Sequence, residues 1–429
     1  MNVLVTGAAG LIGSAICARL SSDGHDVVAV VRRGSDPLPT GVSRRIVVDL
    51  ANATRVEDWL PHLTGIDAVV NCAGALQSAA RDNIHAVHVK GPGALFLACE
   101  EVGVRRVVHF SALGVNREQP SDFSLSKSLG DDLLMERELD WMILRPSVVL
   151  GSSAYGASAL FRGLAALPVV PLMPGTGKLQ VVQLEDVIET VVTLLQPDAP
   201  AKTALELVGP ESLSFAEIVD IYRRWLGWRP ALQVNLPMPL ANLMYKLGDL
   251  AGHLGWRPPI RSNAQKEIVR GAVGDGVAWA EATGIMSASL KAALAARPAG
   301  VQERWFAKMY FVKPATFIIL PAFWIATGII SLSSGFRQGV ELMLRTPAEE
   351  FAVPTVIAGA FADIAIGVAI TRRQSARSGL YAGIALSVFY VVAGSLLLPS
   401  LWHDPLGPLL KIWPILVLHF TALAILKER

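Results

Sequence analysis

Near its start the chain reads Val3-Leu4-Val5-Thr6-Gly7-Ala8-Ala9-Gly10-Leu11-Ile12-Gly13, an apolar run that meets three glycines and then a helical pattern reaching Leu20. A strand, a glycine-rich turn and a helix N-terminus together form an anion site, because backbone N–H groups and the helix dipole converge on a pyrophosphate. Glycines are needed because side chains would block that close approach. The position of the motif after a strand and before a helix predicts a dinucleotide site at Gly7, Gly10, Leu11, Ile12 and Gly13.

The second predicted strand, 26–31, bears on which nucleotide binds. An NAD-selective site usually ends this strand with an acidic residue that bonds the ribose hydroxyls. Here the acidic position is Val31, and Arg32 and Arg33 follow it. Two guanidinium groups and no carboxylate suit a 2′-phosphate, so NADP(H) is favoured over NAD(H). The alternative is a solvated basic loop.

Four further apolar runs are each followed by polar or small residues: 46–48 by Asp49-Leu50, 68–70 by Asn71-Cys72-Ala73-Gly74, 107–110 by Ser111, and 141–144 by Arg145-Pro146-Ser147. Apolar strands that alternate with helical stretches predict an α/β fold with a doubly wound parallel sheet, a Rossmann domain. Ligands bind such sheets at the carboxyl ends of the strands, where these residues fall.

Together these motifs resemble the extended and atypical short-chain dehydrogenase/reductase superfamily, in particular the branch with the NADPH-binding accessory subunit of respiratory complex I and the NmrA-like proteins. The resemblance covers about residues 1–300. It implies that Asp49 faces the adenine, Ala73-Gly74 the adenosine ribose, and Pro146-Ser147 the nicotinamide. The cofactor-binding set that it implies adds Asp49, Leu50, Ala73, Gly74, Ser111, Lys127, Pro146 and Ser147 to the residues above.

The chain departs from this family at the catalytic tyrosine. Catalytic members use a Tyr-x-x-x-Lys pair near a serine, in which the tyrosine transfers the proton. Here Lys127 is present, but the position four residues earlier is Phe123, which has no ionisable proton. Lys127 and Ser111 remain the catalytic candidates, with Lys127 holding the ribose.

Two other side chains are considered as substitutes for the tyrosine. Tyr155 lies in a loop that folds over the nicotinamide or is simply a surface aromatic. His88 is the nearest obvious titratable group, and its alternative is a satisfied structural histidine.

Residues 1–150 are predicted to form the Rossmann core, and residues 151–300 its remaining elements with a small, helix-rich substrate lobe. A helix is expected to begin at Ser214, with Glu217 completing a capping box. An apolar mouth of the substrate lobe, a hydrophobic core and a membrane interface would each explain the three tryptophans Trp225, Trp228 and Trp256 equally well.

Residues 301–429 are predicted to form an all-α transmembrane bundle. Hydrophobic residues make up 52% of the chain, and four apolar runs lie at about 311–332, 353–370, 379–398 and 409–426. Each is near the length that crosses a bilayer, so buried soluble helices are the weaker alternative. Arg372, Arg373 and Arg377 lie between the second and third runs. The positive-inside rule therefore predicts a multi-pass protein of the inner (cytoplasmic) membrane with its N-terminal domain and C-terminus in the cytoplasm.

This last region resembles the DoxX-like family of four-helix membrane proteins linked to redox and quinone metabolism, through Ala362-Asp363-Ile364-Ala365-Ile366-Gly367. Asp363 and His419 lie within predicted spans, where ionisable groups are costly and mark functional sites by default. The hypothesis is that they meet as a buried pair, and the alternative is a structural hydrogen bond between helices.

Net charge and cysteine spacing exclude other classes of partner. The net charge of +2 and the lack of a basic stripe argue against nucleic acid. Cys17, Cys72 and Cys99 have neither metal-ligand nor disulfide spacing, so no metal is expected and the thiols are interpreted as buried in a reducing compartment.

Two functions are favoured by these observations. The first is a membrane-anchored NADP(H) oxidoreductase whose acceptor is a quinone or another lipid-derived molecule. The second is a non-catalytic NADP(H)-binding sensor, scaffold or assembly protein of a membrane redox complex. A sugar epimerase or dehydratase is a weaker third, because it needs the absent proton donor most.

Overall fold

The computed structural model describes residues 1–75, 83–115, 121–256 and 258–427, and only the backbone of residues 263 and 264. The chain divides into two compact units. The first contains Met1–Asp249 and Pro258–Ala307, and the second contains Leu250–Arg257 and Lys308–Arg429.

Parallel strand pairs form the centre of the first unit. The strands in the described part of the chain are β1 (Asn2–Thr6), β2 (Asp26–Val31), β3 (Arg44–Val47), β4 (Ala68–Asn71), β5 (Arg106–Phe110), β6 (Asp140–Pro146), β7 (Val149–Leu150), β8 (Val169–Leu172), β9 (Val182–Gln183), β10 (Thr203–Leu207) and β11 (Leu232–Asn235). Seven of these form one sheet in the order β10-β6-β5-β4-β1-β2-β3, with every pairing parallel. The predicted doubly wound parallel sheet is confirmed.

The order of this sheet reverses at β1, which lies between β4 and β2. Such a switch point opens a crevice at the carboxyl ends of the strands, and the glycine-rich turn follows β1 there. Both faces of the sheet are covered. Val3 and Val5 pack with Ile16 on one face, whereas Leu4 packs with Trp59 on the other. Burial on both faces explains why the strands are continuously apolar in sequence.

Helices cover the sheet and build the small lobe. They are α1 (Leu11–Ser22), α2 (Leu60–Leu63), α3 (Gly91–Val102), α4 (Asp122–Met135), α5 (Gly156–Ala165), α6 (Leu184–Leu194), α7 (Phe215–Trp225), α8 (Met238–His253), α9 (Ser262–Arg270), α10 (Val277–Thr283), α11 (Leu290–Ala295) and α12 (Val301–Met309). The boundary between the two units falls within α8 and α12. Ser214 caps α7 and forms the predicted box with Glu217. A π-helical turn, Ala86–Lys90, precedes α3.

The described residues of the second unit are mainly helical, with α13 (Val312–Leu332), α14 (Phe336–Met343), α15 (Ala352–Thr371), α16 (Ala376–Leu397) and α17 (Ile412–Ile425). Three stretches of the described chain are long and apolar enough to cross a membrane: Val301–Leu332, which begins in the first unit, Glu349–Thr371 and Ala376–Leu397, each with a mean hydropathy of 2.0. The expected fourth span is shorter than predicted, because α17 has 14 residues. A helix of that length falls below the roughly 20 residues that the hydrocarbon core requires.

Two glycines allow the first two long helices of this unit to pack closely. A Cβ on Gly328 would lie 2.6 Å from a side-chain carbon of Ile364, and one on Gly367 would lie 2.6 Å from Ile325. Small residues at such positions let backbones approach, which is the usual basis of helix association in lipid. Large apolar side chains point outward elsewhere, as Ile318 and Phe361 do.

Candidate functional site

The turn after β1 has the shape of a phosphate cradle. Gly7 has a φ of +64°, and a Cβ there would lie 2.9 Å from the backbone of Cys72 and Ala73. The N–H of Gly10 donates to the carbonyl of Gly7 at 2.8 Å, and Gly10 is the N-cap of α1. Because the first N–H groups of a helix have no partner within the helix, those of the first turn remain available to an anion.

The first turn of α1 presents N–H groups of the kind that bind a pyrophosphate. Leu11 and Ile12 are the first two residues of α1, so their N–H groups belong to that open first turn. A Cβ at Gly13 would overlap the carbonyl of Gly7, which makes glycine necessary there for the helix to approach the strand. Gly7 and Gly13 thus let strand, turn and helix pack closely, and the phosphates would lie beside the open first turn of α1.

The residues expected around the adenosine half lie at the ends of β2, β3 and β4. Arg32 is half-buried directly after β2, whereas Arg33 is exposed and its N–H donates to Asp36 at 3.0 Å. Asp49 is half-buried and accepts from the N–H of Ala51 at 3.1 Å. These residues come from neighbouring carboxyl ends of the sheet, as do Leu50, Ala73 and Gly74.

At the other half of the crevice, Lys127 is the central side chain. It lies on α4 with only 5% of its surface exposed, and its ammonium donates to the carbonyl of Phe110 at 2.6 Å. A Cβ on Gly74 would lie 3.4 Å from the Lys127 nitrogen, so the lysine reaches the turn that follows β4. Burial lowers the pKa of Lys127 to about 8, against the opposing charges of Asp131 and Cys72.

His88 is held by hydrogen bonds on both ring nitrogens. Its Nε2 accepts from the N–H of Ala75 at 3.0 Å, which requires the proton to be on Nδ1, 2.8 Å from the Ser126 hydroxyl. Burial and the charge of Lys127 lower the pKa of His88 to about 2. These contacts make His88 a neutral structural histidine, the interpretation that the sequence favoured over a titrating group.

Phe123 lies one helical turn before Lys127, where the family tyrosine would be. Its ring meets the His88 ring edge-on at 5.6 Å. Residues four apart share one face of a helix, so Phe123 and Lys127 point to the same region. Phe123 offers an apolar surface there but no proton.

Ser111, the second catalytic candidate, is turned into a buried polar cluster. Its hydroxyl donates to Asp131 at 2.9 Å, and Arg145 pairs with the same carboxylate at 3.0 Å. Burial raises the pKa of Asp131, while Ser111 and Arg145 act against that rise. Ser111 therefore serves a substrate only if it gives up its bond to Asp131.

The cluster continues towards the glycine turn. Thr6 donates to the Asn71 side chain at 2.5 Å, and the Asn71 amide lies 2.9 Å from Nδ1 of His109. The other ring nitrogen of His109 is 3.6 Å from Asp131. Burial first, and then the charge of Lys127, holds the pKa of His109 well below its usual range. His109 and Asp131 were not predicted from the sequence, because a lone histidine in a strand and a lone acidic residue in a helix form no recognisable motif.

The small lobe contributes a second set of contacts that the sequence did not reveal. Glu267 on α9 accepts from the hydroxyls of Ser121 and Ser124, at the first turn of α4. Arg270 donates to Ser124 at 2.9 Å and to the carbonyl of Gly114. Pro146 ends β6, and Ser147 donates to the carbonyl of Ala272 at 3.2 Å. These bonds hold the end of α9 beside the helix that carries Phe123 and Lys127.

In the second unit, the hypothesis that Asp363 and His419 form a pair is wrong. Asp363 instead accepts from the Tyr390 hydroxyl at 3.0 Å, linking α15 to α16. His419 accepts on Nε2 from the Trp324 indole at 3.0 Å and donates from Nδ1 to the carbonyl of Ile415. Aromatic donors thus satisfy both groups, in agreement with the alternative of structural hydrogen bonds between helices.

Within the ranges that the structure describes, no group of three or more His, Cys, Asp or Glu side chains is placed to hold a metal ion. Cys17 and Cys99 are buried and Cys72 is half-buried.

Comparison with known protein families matches both halves of the chain. Residues 3–206 match the NAD dependent epimerase/dehydratase family, and residues 321–420 match the DoxX-like family. The epimerase match agrees with the glycine cradle, and the DoxX-like match contains the second and third long apolar helices and the end of the first. Together the DoxX-like match and these helices indicate a membrane protein.

Individual relatives match somewhat more than half of the chain. An uncharacterized protein of Mycobacterium tuberculosis is 29% identical over 238 residues, which is 56% of this chain but only 24% of that protein. The ceramide reductase of Caulobacter vibrioides is 24% identical over 55% of this chain and 74% of its own length. The 40 kDa subunit of NADH-ubiquinone oxidoreductase from Neurospora crassa is 25% identical over 56% of this chain and 65% of the subunit.

Solved structures support the fold. MoeE5 in complex with UDP-glucose and NAD has a TM-score of 0.53 and 24% identity, and the match covers 69% of this chain and 96% of MoeE5. At that identity the likeness establishes the Rossmann architecture of the first unit and does not extend to the substrate.

Proposed function

Because the chain joins a Rossmann domain of the NAD-dependent epimerase/dehydratase type to a DoxX-like domain, we propose that it is a membrane-anchored NADP(H)-dependent oxidoreductase. Its acceptor comes from the lipid phase and is a quinone or another lipid-derived molecule. The observation that carries this proposal is the crevice with an open glycine cradle at one end and the buried Lys127 ammonium at the other.

The bound nucleotide would supply a hydride, and the chain's own residues would orient it. The open first turn of α1 would bind the pyrophosphate, and Lys127 would donate to the ribose hydroxyls near the nicotinamide. Since Lys127 already bonds the carbonyl of Phe110, its ammonium is held in place before the nucleotide arrives. Such preorganisation is the usual way in which an enzyme supports group transfer.

The proton donors explain why a quinone-like acceptor is favoured. Phe123 has no proton to give, and both nitrogens of His88 are engaged. Reduction of an ordinary carbonyl needs a proton delivered as the hydride arrives. A ring that delocalises the new charge needs that proton less urgently, and water or the Lys127 ammonium, with its pKa of about 8, would supply it.

The choice of NADP(H) over NAD(H) rests on Arg32 and Arg33. Both follow β2, and no carboxylate occupies the end of that strand, where Val31 is buried. Guanidinium groups bind phosphate with charge-assisted hydrogen bonds, so this end of the crevice suits a 2′-phosphate.

The membrane location supports a lipid-phase acceptor. One relative is named a ceramide reductase, and ceramide is a lipid. The relative from Neurospora is named as a subunit of NADH-ubiquinone oxidoreductase.

We place the first unit on the cytoplasmic side of the inner membrane, because Arg372, Arg373 and Arg377 lie between the second and third long helices.

The second candidate function is a non-catalytic nucleotide sensor or assembly protein of a membrane redox complex. It is favoured by the Phe123 ring packed against His88, which fills the tyrosine position with an apolar group. The sequence similarity to a subunit of NADH-ubiquinone oxidoreductase also supports this second function. This function predicts tight NADPH binding without turnover.

The test follows NADPH absorbance with the full chain in lipid nanodiscs, with and without a soluble quinone. We expect quinone-dependent loss of NADPH above the rate of empty nanodiscs. Gly10→Asp should abolish it, because aspartate is a good N-cap and would keep α1 folded while placing a carboxylate in the phosphate site. Ser22→Asp is the matched control, since it adds the same charge at the exposed far end of α1.

The two functions separate cleanly in this assay. Loss of NADPH that Gly10→Asp abolishes and Ser22→Asp preserves establishes the oxidoreductase. NADPH that stays bound at saturation and is not consumed with any quinone or lipid carbonyl supplied contradicts the oxidoreductase and supports the sensor.

A further inference from the structure

Helix α8 has an exposed side that is half apolar. Ala241 and Tyr245 are buried and mark the face with which the helix packs. On the opposite side Leu240, Leu243, Leu247 and Leu250 are 44%, 51%, 55% and 56% exposed. We call these four residues the leucine stripe.

The spacing of the leucine stripe follows the helix period. Its members lie three and four residues apart, so with 3.6 residues per turn they form one continuous row. Asn242, Lys246 and His253 are also exposed but lie in a second row beside the first. At roughly 100° per residue, Asn242 lies about 120° around the helix axis from the middle of the leucine stripe, whereas Lys246 borders the stripe beside Leu243 and Leu250. The solvent-facing side of α8 is therefore itself amphipathic.

The end of α8 leads directly into a segment seated at the end of a long apolar helix. Leu250–Arg257 belong to the second unit. There the Trp256 indole donates to the carbonyl of Thr371, the last residue of α15, at 2.8 Å. The N–H of Arg373 donates to the carbonyl of Leu254 at 3.0 Å, and its guanidinium lies 5.2 Å from the centre of the Trp256 ring.

These contacts mark the height of the membrane surface. Tryptophan is enriched at the boundary between hydrocarbon and water, and arginine at the cytoplasmic ends of membrane helices. Leu250 precedes Trp256 by six residues, so chain connectivity alone keeps the end of the leucine stripe near that boundary. An apolar row at such a place meets lipid before it meets another protein.

We propose that α8 is an interfacial helix that lies in the plane of the bilayer surface, with the leucine stripe inserted among the acyl chains of the lipids. Lys246 and His253 lie towards the headgroups, where a long cationic side chain keeps its charge in water while its stem covers apolar surface. The occupant of the leucine stripe is the lipid bilayer. This inference does not depend on whether the first unit oxidises NADPH.

The test places a fluorophore on either row of α8 in the full chain, reconstituted in vesicles of zwitterionic and anionic phospholipid. Leu247→Cys labels the leucine stripe, and Asn242→Cys, at an exposed position of the polar row, is the matched control. The native thiols will react poorly near neutral pH. Burial raises the pKa of Cys17 and of Cys99 to about 12, and burial also raises the pKa of Cys72.

We expect the label at 247 to be quenched by nitroxide groups on the lipid acyl chains at least about twice as strongly as the label at 242, since interfacial helices insert their apolar face below the headgroups. Aqueous iodide should show the reverse order. Equal iodide quenching at both positions, with no quenching by lipid nitroxides, would overturn the proposal. A label at 247 shielded from iodide and from lipid nitroxides alike would overturn it too, by showing that protein covers the leucine stripe.

Discussion

The affinity for NADPH should depend on pH through a single lysine. Burial lowers the pKa of Lys127 from 10.5 to about 8, while Asp131 and then Cys72 oppose the shift. Between about pH 7 and about pH 9 the amine therefore changes from mostly charged to mostly neutral, whereas an exposed lysine would stay charged. His88 does not titrate in this range, because its pKa is about 2.

The expected size of the effect follows from the contact that Lys127 is proposed to make. A hydrogen bond from a charged donor contributes about 1.5–3 kcal/mol, which corresponds to roughly 10–100-fold in Kd. Since about a tenth of the amine is still charged at pH 9, NADPH should bind the wild type about five- to tenfold more weakly there than at pH 7. Lys127→Met should bind weakly throughout and show no such pH dependence, because it has no proton to lose.

The same shift acts on stability with a definite sign. The folded-state pKa lies below the unfolded value, so the unfolded chain binds more protons between about pH 8 and pH 10.5. The free energy of unfolding of the first unit therefore rises with pH across that window, by at most about 3 kcal/mol. Below about pH 8 the cost of the buried ammonium is fully present.

The assay is NADPH fluorescence titrated with the full chain in nanodiscs, over the pH range above, for the wild type and Lys127→Met. A wild-type Kd that stays constant and equals that of the variant would refute the contact between Lys127 and the nucleotide. A Kd that changes equally in both proteins would assign the pH dependence to another group.

Three further changes test other parts of the structure. Phe123→Tyr restores the missing proton donor one turn from Lys127, so we expect NADPH-dependent reduction of simple carbonyl compounds, measured by absorbance. If this activity does not appear, the site differs from that of catalytic relatives by more than this ring. Arg33→Ala should raise the Kd for NADPH about tenfold and leave that for NADH unchanged, if the guanidinium meets a 2′-phosphate; equal effects on both would contradict the NADP(H) preference. Gly367→Leu should destabilise the second unit by at least about 1–3 kcal/mol, because the new side chain overlaps Ile325, and resistance to unfolding in detergent measures it.

Much of the first unit's fold is predictable from local pattern. Residues 27–31 of β2, for example, are buried on both faces of the sheet, so their sequence is an unbroken apolar run that stops at the crevice. The Gly7–Gly13 motif is equally local, because the strand, turn and helix that it needs are consecutive. The bounds of β3 were harder to predict. The apolar run covers residues 46–48, whereas the strand begins at Arg44 with two exposed arginines, because it lies at the edge of the sheet.

The interactions within the site could not be predicted, because they join residues far apart in the sequence. Asn71 meets His109 across neighbouring strands, and Asp131 on a helix reaches Arg145. The same limit explains the error in the membrane domain. Two buried ionisable groups suggested a pair, but Tyr390 and Trp324 were the nearer donors, and aromatic residues in apolar helices give no sequence signal of their own.

The loss of the tyrosine changes more than one residue's role. Phe123 replaces the proton donor, and His88 is held by the N–H of Ala75 and the Ser126 hydroxyl. On the same face of α4, Asp131 is held as a hydrogen-bond acceptor, and Lys127 carries a proton. An oxidoreductase would need this lysine both to hold the nucleotide and, with water, to supply the proton. A sensor would need it only to hold the nucleotide. Both functions therefore predict that Lys127→Met weakens NADPH binding, and only the oxidoreductase predicts that restoring tyrosine at position 123 widens the range of acceptors.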